Sequence, residues 1–169
     1  AVLDTHARAF GAKAGPVISN LVKQLFEDPT ARPLYSFAAV EGSRLSGHIL
    51  FTKVGLEGTG DVLSCQILAP LAVLPDSQGK GVGQALVRSG LDHLKAAGTD
   101  LVFVLGHPGY YPRCGFSPAG VQGFEAPYPI PEKDAGAWMV RELTTGAMGR
   151  SEGTVRCARA LDRPEHWRE

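Results

Sequence analysis

Long hydrophobic runs are absent from this 169-residue chain: no apolar stretch approaches the roughly 20 residues that a membrane-crossing helix needs. A basic start followed by a hydrophobic leader is also missing, so the cytoplasm is the expected compartment and no membrane partner is implied. Net charge is lacking too, because 17 Lys+Arg stand against 17 Asp+Glu. That balance excludes the broad basic face of a nucleic-acid binder and leaves room only for a local basic pocket. Cysteine is scarce: Cys65, Cys114 and Cys157 are odd in number, widely spaced and free of any C-x-x-C pair. A disulfide framework and a zinc site are both disfavoured, and buried free thiols are expected. None of His6, His48, His93, His107 and His166 pairs with another at i+3 or i+4, so no metal is expected. Internal repeats and low-complexity tracts are missing as well. The length suits one sizeable core, and a single domain over residues 1–169 is expected, with 162–169 as a polar tail.

Glycine is what the chain has in excess: 21 residues, about 12% against a usual value of about 7%. Gly79, Gly81 and Gly83 alternate in one short stretch, and six of the 12 prolines crowd between Pro108 and Pro131. Around these landmarks the periodicity predicts alternating elements. Val2, Leu3, Ala7 and Phe10 open a short helical pattern, and Val17, Ile18, Leu21, Val22, Leu25 and Phe26 a stronger one. Tyr35 to Val40 and Arg44 to Val54 read as two strands around a Glu41-Gly42-Ser43 turn. In a third strand, Val62 to Val73, residues Leu63, Cys65, Ile67, Ala69, Leu71 and Val73 alternate on one buried face. Pro70 interrupts it and cannot donate to a ladder, which implies an edge, a bulge or a point where two strands part.

Gly81 to Ala97 carries its apolar residues on one half of a helical wheel, with Gly98 as the stop. The continuous apolar run Leu101 to Leu105 then reads as a strand covered on both faces, completing a right-handed βαβ crossover. Further strands are expected at Gly115-Phe116, Ala137 to Leu143 and Gly153 to Ala160, with a short helix or turn before Arg113.

Val73-Leu74-Pro75-Asp76-Ser77-Gln78-Gly79-Lys80-Gly81-Val82-Gly83-Gln84 places a glycine-rich turn between a strand end and a helix start. The first N–H groups of a helix have no internal partner and carry the positive end of its dipole, and glycine lets phosphate approach the backbone. The Lys-Ser/Thr pair of a Walker A loop is missing, which disfavours ATP and GTP. The third glycine of the dinucleotide fingerprint falls on Leu86 or Gln84, which disfavours NAD.

Gln78, Gly81 and Gly83 match the acyl-CoA-binding signature Q/R-x-x-G-x-G/A, and with it the chain resembles the GNAT superfamily of N-acyltransferases. Upstream, Pro70 to Pro75 is similar to the superfamily's fourth strand, which pairs with the pantetheine arm of the cofactor. Downstream, Tyr110-Tyr111-Pro112-Arg113-Cys114-Gly115-Phe116 resembles its second landmark, and Ala137 to Leu143 with Gly146-Ala147-Met148 is similar to the YhbS-like branch. The likeness covers most of residues 35–160.

The resemblance implies an α/β (α+β) fold: a mixed, mostly antiparallel sheet with a βαβ crossover and flanking helices. Its fourth and fifth strands would splay so that the pantetheine arm slots between them as an added strand. It further implies an N-acetyltransferase that moves an acetyl or other acyl group from acetyl-CoA to a primary amine, small or peptidic, by direct attack in a ternary complex. Leu71, Ala72, Val73, Gln78, Gly79, Lys80, Gly81, Val82, Gly83 and Gln84 would hold coenzyme A. Tyr111 would be the general acid that protonates the leaving thiolate, since a phenol with a reference pKa near 10 keeps its proton. A backbone N–H near Val73 would face the oxyanion. The alternative is a catalytically silent CoA-binding or sensing module. The superfamily also begins with a strand before its first helix, whereas this chain opens in a helical pattern, so a first strand is expected to be missing. The exposed sheet edge could be covered by a homodimer.

An amine with a pKa near 10.4 is less than about 0.1% neutral at pH 7, so some group must accept its proton. Glu41, Glu57, Ser64, Gln66 and His107 stay open as acceptors, each with a structural or surface role as the plainer reading. Gly106-His107-Pro108 departs from the Gly-Asp-Pro of branch relatives. Cys114 with His107 could be read as nucleophile and base, but Cys114 sits inside a family landmark where packing explains it. Arg113 and Lys80 are either CoA-phosphate contacts or solvated charge, and Trp138, Met139 and Met148 are most simply core. The acceptor pocket is expected to take its walls from the first two helices and the Gly120–Pro131 loop.

Overall fold

A computed structural model describes residues 1–58 and 62–167. Helix α1, Val2–Glu27, is broken at Gly11 (φ 79°, ψ −180°), which divides it into the two helical stretches that the periodicity predicts. Leu21, Val22 and Leu25 of the second stretch are buried against the sheet. Strands β1 (Tyr35–Glu41) and β2 (Arg44–Glu57) form the hairpin, and β3 (Cys65–Val73) pairs antiparallel with β2. Helix α2 (Val82–Ala96) then crosses to β4 (Leu101–Leu105), which lies parallel to β3. The remaining strands are short: β5 (Ser117–Pro118), β6 (Phe124–Glu125), β7 (Trp138–Glu142) and β8 (Gly153–Arg156).

Among the described residues these eight strands form one mixed sheet, seven of them in the order β5-β7-β4-β3-β2-β8-β6 and β1 off that path, paired with β2. The long β2 keeps β3 along one edge and takes β1 and then β8 along the other. Two apolar layers sandwich the sheet, α1 packing with Leu50, Ile67 and Phe103 and α2 with Ile49, Phe51 and Val102. No helix among the described residues is long and apolar enough to cross a membrane.

Two expectations need correction. The alternation along the third strand does not persist on one face. Cys65, Ile67 and Ala69 face the α1 layer, but Leu71 packs with the α2 layer. The register explains it, because Ile49 pairs Leu71 while Phe51 pairs Leu68, so two steps along β2 span three along β3. A bulge at Ala69–Pro70 absorbs the extra residue, and one extra residue exchanges the faces of everything beyond it. The strand ladder also starts at Cys65 rather than Val62. Second, the C-terminal segment is not simply a polar tail. Trp167 is buried, donates from Nε1 to the Leu161 carbonyl at 2.9 Å and packs edge-on against Trp138 at 5.7 Å.

Candidate active site

The seam between β3 and β4 opens partway along. Their parallel register runs only from Cys65/Leu101 to Ile67/Phe103. Beyond that, β3 stays with β2 as far as Gly47/Val73, and β4 stays with β7 as far as Leu105/Trp138. The bulge at Pro70 falls where the two strands separate, as a residue with no N–H to give would suit. Strand amides alternate sides, and Leu74 donates to the Ser46 carbonyl across β2 at 2.8 Å. The Val73 N–H is therefore turned to the open edge.

Immediately after the open edge comes the glycine loop. Pro75–Ser77 makes one 3-10 turn, closed by Ser77 N–H to the Leu74 carbonyl at 2.8 Å. Arg44 holds Asp76 at 2.8 Å, and Gln78 Nε2 donates back to the Val73 carbonyl at 3.0 Å. Gly81 adopts a left-handed conformation (φ 80°, ψ 7°) that starts α2, and among the described residues no side chain caps that helix. The free amides of its first turn thus border a cavity of about 540 Å³. Gly83 answers to a close approach: a Cβ there would lie 2.3 Å from Tyr110 Oη. An uncapped, glycine-lined helix start of this kind fits a pyrophosphate by backbone dipoles.

Of the residues singled out from the sequence, Leu71, Val73, Gln78, Gly79, Gly81, Val82, Gly83 and Gln84 line this cavity together. Ala72 and Lys80 do not: Ala72 is buried opposite His48, and Lys80 is exposed. Arg113 is part of the wall, and so is Tyr110. Burial raises the Tyr110 phenol above its ordinary value.

A second cavity of about 780 Å³ continues from the first, with Leu71 and Tyr110 shared between them. It occupies the parted seam from Leu68 to Leu71 and from Val104 to His107. Tyr111 lines it, 8% exposed and packed edge-on against Tyr110 at 5.1 Å and Phe116 at 5.7 Å. His107 is also on its wall, with Nδ1 accepting from Gly109 N–H at 3.0 Å.

The far wall differs from expectation. Phe10, Lys13, Val17 and Leu21 of α1 contribute, but nothing from residues 120–131 does. Leu161, Glu165 and His166 close that side instead. A 3-10 turn at Pro164–Trp167, anchored by the buried Trp167, carries Glu165 and His166 there, and the preceding turn Arg159–Leu161 carries Leu161. The only trace in the sequence is an aromatic residue inside an otherwise polar end.

Glu41, Glu57, Ser64 and Gln66 lie off the cleft. Glu57 pairs with Arg156 at 2.8 Å, and Gln66 is buried with Nε2 on the Pro33 carbonyl at 3.2 Å. Cys114 is buried in the α2 layer, where desolvation pushes its thiol up, so it is not an activated nucleophile. Trp138 and Met139 are core, as expected. Among the described residues no cluster of metal-ligating groups occurs.

One constellation is invisible in the sequence. His6 Nε2 and His48 Nδ1 share a hydrogen bond of 2.9 Å, and His48 Nε2 meets Ser36 Oγ at 2.6 Å. Both imidazoles are fully buried, and their desolvation lowers each pKa from 6.5 to about 4. The chain of bonds fastens α1 to β1 and β2.

Comparison with known proteins agrees with this geometry. A family profile described as an acetyltransferase (GNAT) domain matches residues 1–119. The uncharacterized N-acetyltransferase YjhQ of Escherichia coli K12 is 46% identical over 158 residues, 93% of this chain and 85% of that protein. The crystal structure of YhbS from Escherichia coli in complex with CoA aligns with a TM-score of 0.79 at 27% identity, covering 94% of this chain and 87% of the other. A GNAT family acetyltransferase from Brucella melitensis in complex with acetyl-CoA aligns at 0.72, also at 27% identity, covering 95% and 90%.

Proposed function

The chain belongs to the GNAT acetyltransferase family, in its YhbS-like branch, and from that premise we propose that it moves an acetyl group from acetyl-CoA to a primary amine. The observation that carries this reading is the β3–β4 seam, which parts after Ile67/Phe103 and opens onto the uncapped start of α2. A thioester-bearing arm laid in the seam would take the place of the missing ladder partner, with its pyrophosphate at the helix amides. The structural neighbours bound to CoA and acetyl-CoA support the same cofactor.

The chemistry is direct attack in a ternary complex. The amine nitrogen bonds to the thioester carbonyl carbon, the carbon–sulfur bond breaks, the amine loses a proton and the thiolate gains one. The Val73 N–H faces the open edge, where it donates to the developing oxyanion. Tyr111, on the wall of the seam, supplies the thiolate's proton.

The test is release of free CoA thiol from acetyl-CoA across a panel of small and peptidic amines, with the acetylated amine identified by mass. Release that requires an amine and matches acetylated product one for one is expected. Tight CoA binding with no release for any amine would overturn the reading and leave a silent CoA-binding module.

A further inference from the structure

The cleft on the acceptor side has apolar walls and few groups able to take a proton. Lys13 is a cation, and Glu165 is exposed to water. His107 is exposed and spends Nδ1 on the Gly109 N–H. His166 differs on each point. It is half-buried, and among the described residues neither of its ring nitrogens has a hydrogen-bond partner. It also lines a second, outward groove of about 310 Å³ between α1 and the C-terminal segment, together with Asn20, Gln24 and Arg163. His166 therefore stands between the parted seam and a groove open to solvent, whose Pro16, Val17 and Leu21 are apolar and whose Asn20, Gln24, Arg163 and Glu165 are polar.

We propose that His166 is the base that accepts the proton of the acceptor amine and passes it out through this groove. The inference rests on the acetyltransferase reading above. Its balance is simple: the amine N–H bond breaks as nitrogen bonds to the carbonyl carbon, the proton moves to a ring nitrogen, and water in the groove removes it. The segment is held for the task. Trp167 is sunk in the core next to it, Ala160 N–H donates to Asp28 Oδ2 at 3.0 Å, and Arg159 N–H donates to Thr30 Oγ1 at 3.0 Å. Burial keeps the ring below its ordinary value and so neutral at pH 7. Arg163 adds to that effect and Glu165 opposes it. The other titratable groups on the walls of the same cavity are Lys13 from α1 and His107, Tyr110 and Tyr111 from the segment after β4.

The apolar wall of Phe10, Val17, Ile18 and Leu21 favours amines with a hydrocarbon body, so the probes are phenethylamine, hexylamine and phenylalanine amide, with spermidine as the polar contrast. The expected result for His166→Gln is a fall of about 100-fold in kcat with CoA affinity within about twofold of wild type. The acid limb of the wild-type kcat profile, with its midpoint below pH 6.5, should vanish in the variant. Imidazole in the buffer should restore turnover to His166→Ala. If wild type acetylates amines while His166→Gln keeps kcat and the acid limb, the base assignment is overturned and the acetyltransferase reading stands. Loss of CoA binding in both variants with no imidazole rescue also overturns it, since the residue is then only structural. If wild type acetylates no amine, the acetyltransferase reading itself falls, and the base assignment with it.

Discussion

In the proposed reading, the cofactor end of the cleft is nearly one continuous piece of chain, Leu71 to Gln84, whereas the acceptor end is assembled from α1, the segment after β4 and the C-terminal turn. One end works through backbone: a left-handed glycine, uncapped helix amides and an unpaired strand edge. The other works through side chains that meet only after distant segments dock. The difference teaches where each end is vulnerable. A backbone site fails when a Cβ or a wrong dihedral is added, and a docked site fails when the docking does.

Acid should damage the docked end more than any single substitution does. His6 and His48 bind protons at pH 6.5 when unfolded but only near pH 4 when folded. Between those values the unfolded chain holds more protons, so stability is full above pH 6.5 and is lost as pH falls toward 4. The limiting slope is about 1.4 kcal/mol per pH unit for each imidazole. Thermal melting followed from pH 7.5 to 4.5 should show a steady fall in Tm below about 6.5, and His48→Leu should flatten it. A melting temperature independent of pH across that window would mean that α1 is not held by a neutral histidine pair.

Tyr111 lies at the junction of the two ends, and its replacement separates chemistry from packing. Phe keeps the ring that packs on Tyr110 and Phe116 and removes only the hydroxyl. Tyr111→Phe should lower kcat by about 100-fold, equivalent to about 2.7 kcal/mol, with CoA affinity unchanged by calorimetry. Full turnover in the variant would remove the acid role and leave Tyr111 as part of the wall.

The same contrast explains what could be read in the sequence. The loop was legible because Gln78, Gly81 and Gly83 act through local dihedrals and spacing, which a linear pattern records. The parted seam was announced by Pro70, a residue that cannot donate to a ladder. The exchange of faces after Pro70 was not legible, since a bulge is defined by the partner strand's register and not by the strand's own alternation. Nor was the His6–His48–Ser36 chain, whose members lie on different elements and meet only when α1 docks. His166 was hidden for a further reason: a polar end reads as tail unless the burial of Trp167 is known.

At the cofactor end, an added Cβ is the direct attack. Gly83→Ala would place a methyl group 2.3 Å from Tyr110 Oη, inside the cavity and against the approach to the α2 amides. Affinity for CoA should fall by roughly 30-fold, about 2 kcal/mol, in a calorimetric titration. Tyr110→Ala added to Gly83→Ala relieves the clash but leaves the methyl in the phosphate path, so it should not restore binding. Recovery in the double variant would show that the glycine serves the tyrosine and not the phosphate.

The smallest effect tests whether the cofactor end is built before the cofactor arrives. Gly81 holds φ 80° with open space around it, so Gly81→Ala meets no clash and costs only the left-handed conformation, about 1–2 kcal/mol. Where that cost falls depends on how firmly the empty loop is held. The Gln78 bond to Val73, the Ser77 bond to Leu74 and the Arg44–Asp76 pair all fix it without a ligand. A loop fixed in that way carries the strain in the folded state whether or not CoA is bound. Tm should therefore fall by about 3–6 °C while CoA affinity changes less than about threefold. Gly136→Ala, at a position with open space and no left-handed dihedral, should change neither. The reverse outcome, an unchanged Tm with roughly tenfold weaker CoA binding, would mean that the alanine loop relaxes when empty and pays its strain only on binding. The cofactor end would then be organised by its ligand, and the contrast with the docked acceptor end would narrow to one of timing.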